Sequence, residues 1–324
     1  MTNFQIYRKI LSFSLLDFVV SLFALAVLFG SAVAGFFIAN TSTDKALIGL
    51  VVGFVIGIIL AVLISYLVNN RIKAAQISIM VKGITEGQLP EHPFSEGFKE
   101  IKGRFGKITV FFFIINMIKG MFNQLGRTFN RIGTAIGGST GSTITSVIDS
   151  AVQTLVAYLA DCCLGWILYR KDENSFKAGC EGAVIFFKHG KTLIRNVGRI
   201  FGMGLLSFVV VGGAIFGLSY VIFMQFPQAF NGLINEIVEA ATRSGEEVPE
   251  FVKNPTLFMI VVSAFLAIVL WSILHSVLGR PFILVGVMRN FMEAGIADMP
   301  TEADFAELDQ KSPRFRRLHD KMNA

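Results

Sequence analysis

Residues 13–39, 46–68, 200–226 and 256–279 are apolar runs, each long enough for a helix to cross a bilayer. Such a helix needs about 20 apolar residues. In hydrocarbon every backbone N–H and C=O must be bonded internally, so runs of this kind fold as helices. Two further stretches, 108–133 and 144–169, are also candidate spans. Only 16% of the 324 residues are charged, against about a quarter in soluble domains. The expected fold is all-α, a polytopic helical membrane protein forming a single membrane domain over 1–324. It would have about six transmembrane helices, with interfacial amphipathic helices between them. Ala32-Val33-Ala34 resembles a signal-peptide cleavage site, but the run continues through Phe36, Phe37 and Ile38. It therefore reads as a retained span.

Charge sets the expected orientation. Residues 69–107 hold seven Lys/Arg and four Glu, and residues 170–199 hold seven Lys/Arg against three acids. The positive-inside rule places both segments, and the N-terminus with Arg8 and Lys9, on the cytosolic side. The 225–255 segment has five Glu against Arg243 and Lys253, and becomes an extracytoplasmic loop. The tail from 280 to 324 then returns to the cytosol. This closes if 108–133 and 144–169 cross an even number of times, either as two spans or as a re-entrant hairpin. Two spans make six in all, with both termini cytosolic in a multi-pass cell-membrane protein.

The turn Gly137-Gly138-Ser139-Thr140-Gly141-Ser142-Thr143 separates those two helices, and both carry polar stripes. Asn116, Lys119, Asn123, Arg127 and Asn130 recur at steps of three or four, with Arg131 beside the last. Asp149, Gln153 and Asp161 share one face of the next helix. An antiparallel fold at residue 140 sets Lys119 against Asp161, Arg127 against Gln153 and Arg131 against Asp149. Equal helical rise on both sides holds that register. Ionisable groups in a membrane are costly and mark either a structural ion pair or a polar path.

Gly49, Gly53 and Gly57 form a small-xxx-small stripe that lets another backbone approach, with Gly30 and Ala34 of the first run as the expected partner. Residues 174–199 read as an interfacial amphipathic helix. Phe176, Cys180, Val184 and Phe187 share its apolar face, with Lys177, Glu181, Lys188 and Lys191 elsewhere. Cys162, Cys163 and Cys180 have no metal-ligand or disulfide spacing and read as small apolar fillers.

Several features of 155–320 resemble the C-terminal part of choline transporter-like proteins. They are Cys162-Cys163, Asn174, Gly179-Cys180, Ile185-Phe186-Phe187, the Arg195-Asn196-Val197-Gly198-Arg199 element, and Arg289-Asn290-Phe291-Met292-Glu293. The resemblance implies a helical membrane carrier. No binding residue is carried over, because Lys171-Asp172-Glu173-Asn174 stands where that family has an Asn-Arg-Asn-Ala-Tyr-like element.

No Walker A, GxSxG or HExxH sequence occurs, and the four histidines are scattered. The chain is expected not to be an enzyme and to need no cofactor. The basic residues flank apolar runs instead of forming an aromatic-interleaved patch, so nucleic acid is not an expected partner. The lipid bilayer is. The leading expectation is a transporter or channel-like protein that passes a small polar or ionic solute along Lys119, Asn123, Arg127, Arg131, Asp149, Gln153 and Asp161. The alternative is a non-transporting membrane subunit or scaffold, acting as a homo-oligomer or with a membrane protein partner.

Overall fold

The computed structural model describes residues 1–43, 46–105, 116, 120, 157–194, 197–245 and 248–323. Every regular element among them is helical. Helix α1 covers Asn3–Thr43 and α2 covers Ala46–Ile64. A π-helical segment, Ser65–Asn69, joins α2 to α3, Asn70–Thr85. Then come α4, Pro93–Phe105, α5, Ala157–Tyr169, and α6, Ser175–Ile194. Helix α7, Val197–Ser207, passes through a second π segment, Phe208–Gly212, into α8, Gly213–Met224. Helices α9, Pro227–Ser244, and α10, Glu250–Lys253, lead to α11, Pro255–Leu274. A third π segment, His275–Gly279, joins α11 to α12, Arg280–Ala297, and α13, Glu302–Lys311, and α14, Pro313–Asn323, follow.

Local chemistry sets these ends. Pro90 and Pro93 bracket the start of α4 after Gly87 takes a left-handed φ of 68°. Gly245, at φ 72°, ends α9. The Asn254 side chain accepts from Thr256 N–H and Leu257 N–H to cap α11, with Pro255 in its first turn. Thr301 and Asp304 form a reciprocal capping box on α13. Pro281 has no N–H to offer the Val277 carbonyl, a physical reason for the helix to loosen into the π form just before it.

Among the described residues, four helical stretches are long and apolar enough to cross a membrane: Asn3–Thr41, Ala46–Thr85, Gly202–Met224 and Pro255–Ala297. They overlap the four clearest apolar runs of the sequence. The candidate span 108–133, apart from residues 116 and 120, and residues 144–156 of the span 144–169 lie outside the described residues.

Where the sequence reading treats the chain as one membrane domain, its contacts divide it into two compact units. The first comprises Met1–Phe13, Arg71–Gly202 and Arg280–Ala324, and the second Ser14–Asn70 and Met203–Gly279. The first unit buries its apolar side chains in the ordinary way. Phe13, Trp166, Phe291 and Phe315 are fully enclosed, and the Trp166 ring meets Phe291 edge to face at 6.4 Å. Within 280–324, Phe291, Phe305, Leu308 and Phe315 are buried in this core. On the expected apolar face of α6, Cys180 and Val184 are fully buried and Phe176 and Phe187 half-buried, and Ala178, Ala183 and Ile185 are fully buried beside them.

The second unit is built the other way round. Val19, Phe23, Val55, Ile59, Leu205, Val209, Leu218 and Phe265 stand outward and exposed. Its interior is lined with small residues. Gly49, Gly53 and Gly57 are buried and pack on α1, but against Leu28, Ser31, Gly35 and Ala39 and not the expected Gly30–Ala34 pair. A Cβ on Gly53 would overlap the Ser31 carbonyl, and one on Gly49 the Gly35 carbonyl. Nothing lies within 4 Å of a Cβ on Gly30. Gly53→Val should therefore destabilise the second unit by roughly 1–3 kcal/mol, the usual cost of overpacking. Gly30→Ala should leave it unchanged. Thermal unfolding in detergent, followed by the monodisperse fraction, measures both.

Candidate functional site

Of the polar network expected from the sequence, Asp161 is within the described residues. Lys119, Asn123, Arg127, Arg131, Asp149 and Gln153 lie outside them. Asp161 sits on α5, whose residues from Tyr158 to Leu168 are buried on every side. A helix that is apolar all round has to be covered all round, and here the cover is protein of the first unit.

The Asp161 carboxylate is buried, with 8% of its side chain exposed, and basic groups hold both of its oxygens. Lys73 Nζ is 2.7 Å from Oδ1, and Arg280 Nη2 donates to Oδ2 at 2.9 Å. The Arg280 guanidinium also lies over the Tyr158 ring, 5.6 Å from its centre. Each cation keeps some contact with solvent, with 28% of the Lys73 side chain and 30% of the Arg280 side chain exposed. Arg280 Nε is buried and has no hydrogen-bond partner.

The two cations occupy matching places in the chain. Arg280 follows the π segment that ends the apolar part of α11, and Lys73 lies in the first turn of α3, after the π segment that ends α2. One carboxylate thus clamps the first turn of two long helices to α5. Sequence reading found Asp161 but missed both partners. They are flanking charges of apolar runs, and their pairing partner is 119 residues distant in the case of Arg280. Spacing along one helix or hairpin cannot reveal such a contact. The visible signal was weaker: a Lys or Arg just beyond each of two long runs.

Two other ionic groups brace the same unit. Glu181, which the sequence places off the apolar face of α6, is buried. It accepts from Trp166 Nε1 at 2.8 Å and from Arg170 Nε at 3.2 Å. Arg104 donates to the Arg170, Lys171 and Glu173 carbonyls, closing the turn after α5. Glu100 meets Lys82 Nζ at 2.7 Å and Lys171 Nζ at 3.0 Å, and accepts from Ser78 Oγ. Burial opposes the charge on Glu100, yet Lys82, Ser78 and Lys171 outweigh it and hold the carboxyl below its ordinary 4.5. The cysteines are free and buried, and Cys163 Sγ contacts the Gly179 carbonyl at 3.2 Å. Burial, with Asp309 and Glu181 nearby, pushes the Cys180 thiol up to about 12, so it packs and does not react.

Comparison with protein-family models, curated proteins and solved structures finds no match. The site is therefore argued from its own chemistry.

Two outcomes follow. Asp161→Asn removes the charge that both cations share. It should cost about 1–3 kcal/mol, less than a fully buried pair would because Lys73 and Arg280 keep partial hydration. Chemical denaturation of the purified chain checks this, and the double change Lys73→Gln with Asp161→Asn should cost less than the sum of the two singles. Glu100, whose folded pKa is depressed, contributes stability above 4.5 and loses it as pH falls through the folded value. Glu100→Gln should flatten the acid limb of a stability profile taken between about pH 5 and pH 3.

Proposed function

We propose that this chain is a multi-pass membrane protein whose first unit lies in the cytosol and serves as a docking body, a non-transporting membrane subunit or scaffold. The observation that carries this reading is the state of Asp161. The carboxylate that the sequence offered to a cation or proton already has Lys73 on one oxygen and Arg280 on the other. A third cation would meet two fixed positive charges there, so the group acts as a latch between helices. The close-packed core around Trp166, Phe291 and Phe315 suits a binding body and leaves no reason for that unit to enter lipid.

The membrane assignment rests on the outward apolar side chains of the second unit, where the four candidate spans are only 11–17% buried in their most apolar windows. In water such a surface is a large aggregation liability, and in hydrocarbon it carries no penalty. A helix of about 40 residues runs about 60 Å, twice the hydrocarbon thickness. The apolar halves of Ala46–Thr85 and Pro255–Ala297 therefore suffice for crossing. Four spans with both termini cytosolic obey the positive-inside rule. A further pair of crossings within 108–169 would make six and preserve the same orientation.

Transport of a small polar or ionic solute is the second reading. It is favoured by the facing stripes of Lys119, Asn123, Arg127 and Arg131 with Asp149 and Gln153, and by the resemblance to choline transporter-like proteins.

Copurification in mild detergent should yield a stoichiometric partner or a defined homo-oligomer, and proteoliposome flux should not exceed that of empty vesicles. Solute flux abolished by Asp149→Ala with Asp161→Ala, in a protein that stays folded, would reverse the order of the two readings. Topology is tested separately. Glu250→Cys, in the 225–255 loop, should react with an impermeant maleimide in intact cells, and Glu91→Cys only after permeabilisation.

A further inference from the structure

We propose that helix α9 lies in the outer interface of the bilayer, with the flank that carries Phe226, Ala229 and Leu233 set among lipid acyl chains. The proposal rests on the membrane reading above and extends it from the spans to the segment that joins α8 to α11. Successive residues of a helix turn by about 100°, which divides α9 into three sectors. Ile234, Ile237, Val238 and Ala241 share the first, and Asn231, Asn235 and Thr242 the second. Ala229, Leu233 and Ala240 share the third, and Phe226, three residues before Ala229, falls in line with them. Protein covers the first sector. Ile234 and Ala241 are buried there, and the Phe230 ring meets Phe223 of α8 at 4.7 Å and Phe258 of α11 at 6.2 Å. Helix α9 also packs on α2. Asn231, Asn235 and Thr242 of the second sector are exposed, as polar groups should be. The third sector is exposed although it is apolar. Phe226 is 60% exposed and Leu233 47%, and Ala229 is exposed between them.

Position along the spans selects the occupant. Phe223 is in the last turn of α8 and Phe258 in the first turn of α11, so α9 is held where two spans end. The span Gly202–Met224 has 23 residues. At about 35 Å it just exceeds the hydrocarbon thickness, which sets its last turn at the level of the headgroups. Met224 and Leu257, at the same ends of α8 and α11, are exposed too, so the apolar flank of α9 continues the outward apolar surface of the spans. A protein-packed face, a polar flank and an apolar flank together suit a helix lying along a membrane surface. The charges of α9 are Glu236, Glu239 and Arg243, with Arg243 paired to Glu239. It has no cationic face for anionic headgroups, so the flank engages acyl chains and not headgroup charge.

The test uses the full chain in phosphatidylcholine vesicles, spin-labelled in turn at Leu233→Cys, at Asn235→Cys and, within a span, at Val209→Cys. Each label reports its exposure to oxygen, which concentrates in lipid, and to a water-soluble nickel chelate. The three native cysteines are buried, and the unsubstituted chain provides the blank. The ratio of oxygen to nickel exposure at Leu233→Cys should approach that at Val209→Cys and exceed that at Asn235→Cys severalfold. Phosphatidylglycerol vesicles should give the same ratios. If Leu233→Cys does not fold, Ala229→Cys, on the same flank, is read in its place with the same expectation.

A nickel-exposed label at Leu233→Cys beside an oxygen-exposed label at Val209→Cys overturns the placement of α9 and leaves the membrane reading standing. A label at Leu233→Cys shielded from both reagents means that protein, a second copy or a partner, covers the flank, and overturns lipid as its occupant. Lipid exposure confined to phosphatidylglycerol vesicles overturns acyl chains as the group engaged. Nickel exposure at Val209→Cys as well would defeat the membrane reading itself.

Discussion

A buried carboxylate must be neutralised where it stands, and Asp161 is neutralised by the first turns of two long helices. That requirement organises the first unit. The α5 helix is enclosed by protein, so its Asp161 cannot turn to water for compensation. Lys73 and Arg280 supply the charge, and in doing so they fix α3 and α12 against α5. Around this point the unit closes with ordinary packing. Gly165 and Gly295 allow Met288 and Trp166 to approach a neighbouring backbone, and Glu181 satisfies the Trp166 N–H inside the core.

The two units are built on opposite patterns. In the first, aromatic rings and aliphatic side chains point inward, and the carboxylates of Glu181 and Glu100 are met by Arg170 and Lys82. In the second, many large apolar side chains point outward and much of the interior is Gly, Ala and Ser, with Ile234, Val252, Met259 and Val277 also buried. In lipid there would be no hydrophobic drive to bury Leu or Val, and close backbone packing would be the source of helix association. Ser31 and Gly35 against Gly49 and Gly53 provide it. Trp271 adds a polar tie, donating from Nε1 to Ser207 Oγ at 3.1 Å beside the His275 ring.

The four long apolar helices were legible because run length alone decides them: residues 46–68 have nowhere to go but a bilayer or a thick protein core. The Gly49, Gly53 and Gly57 stripe was legible because a four-residue step keeps one helix face. Its partner face was not. Around residue 30 helix α1 carries small residues on several faces, so its pattern does not single out Ser31 and Gly35 over Gly30 and Ala34. The surface that meshes is decided by which carbonyls and small side chains fit together. The burial of Glu181 was not legible for a related reason. Charge normally marks a wet face, but Trp166 and Arg170 make a dry one tolerable.

Sequence by itself determined that the chain is helical, where its four long apolar helices lie, and that Asp161 needs a partner. Those properties follow from local composition, from the cost of unbonded backbone in hydrocarbon and from the cost of an isolated buried charge. Only the tertiary structure decided that 71–105, 157–194 and 280–323 build one compact core, and that Lys73 and Arg280 are the residues that answer Asp161. Pairing across such separations depends on how whole helices pack, and a flanking Lys or Arg carries no mark of which distant carboxylate it will meet.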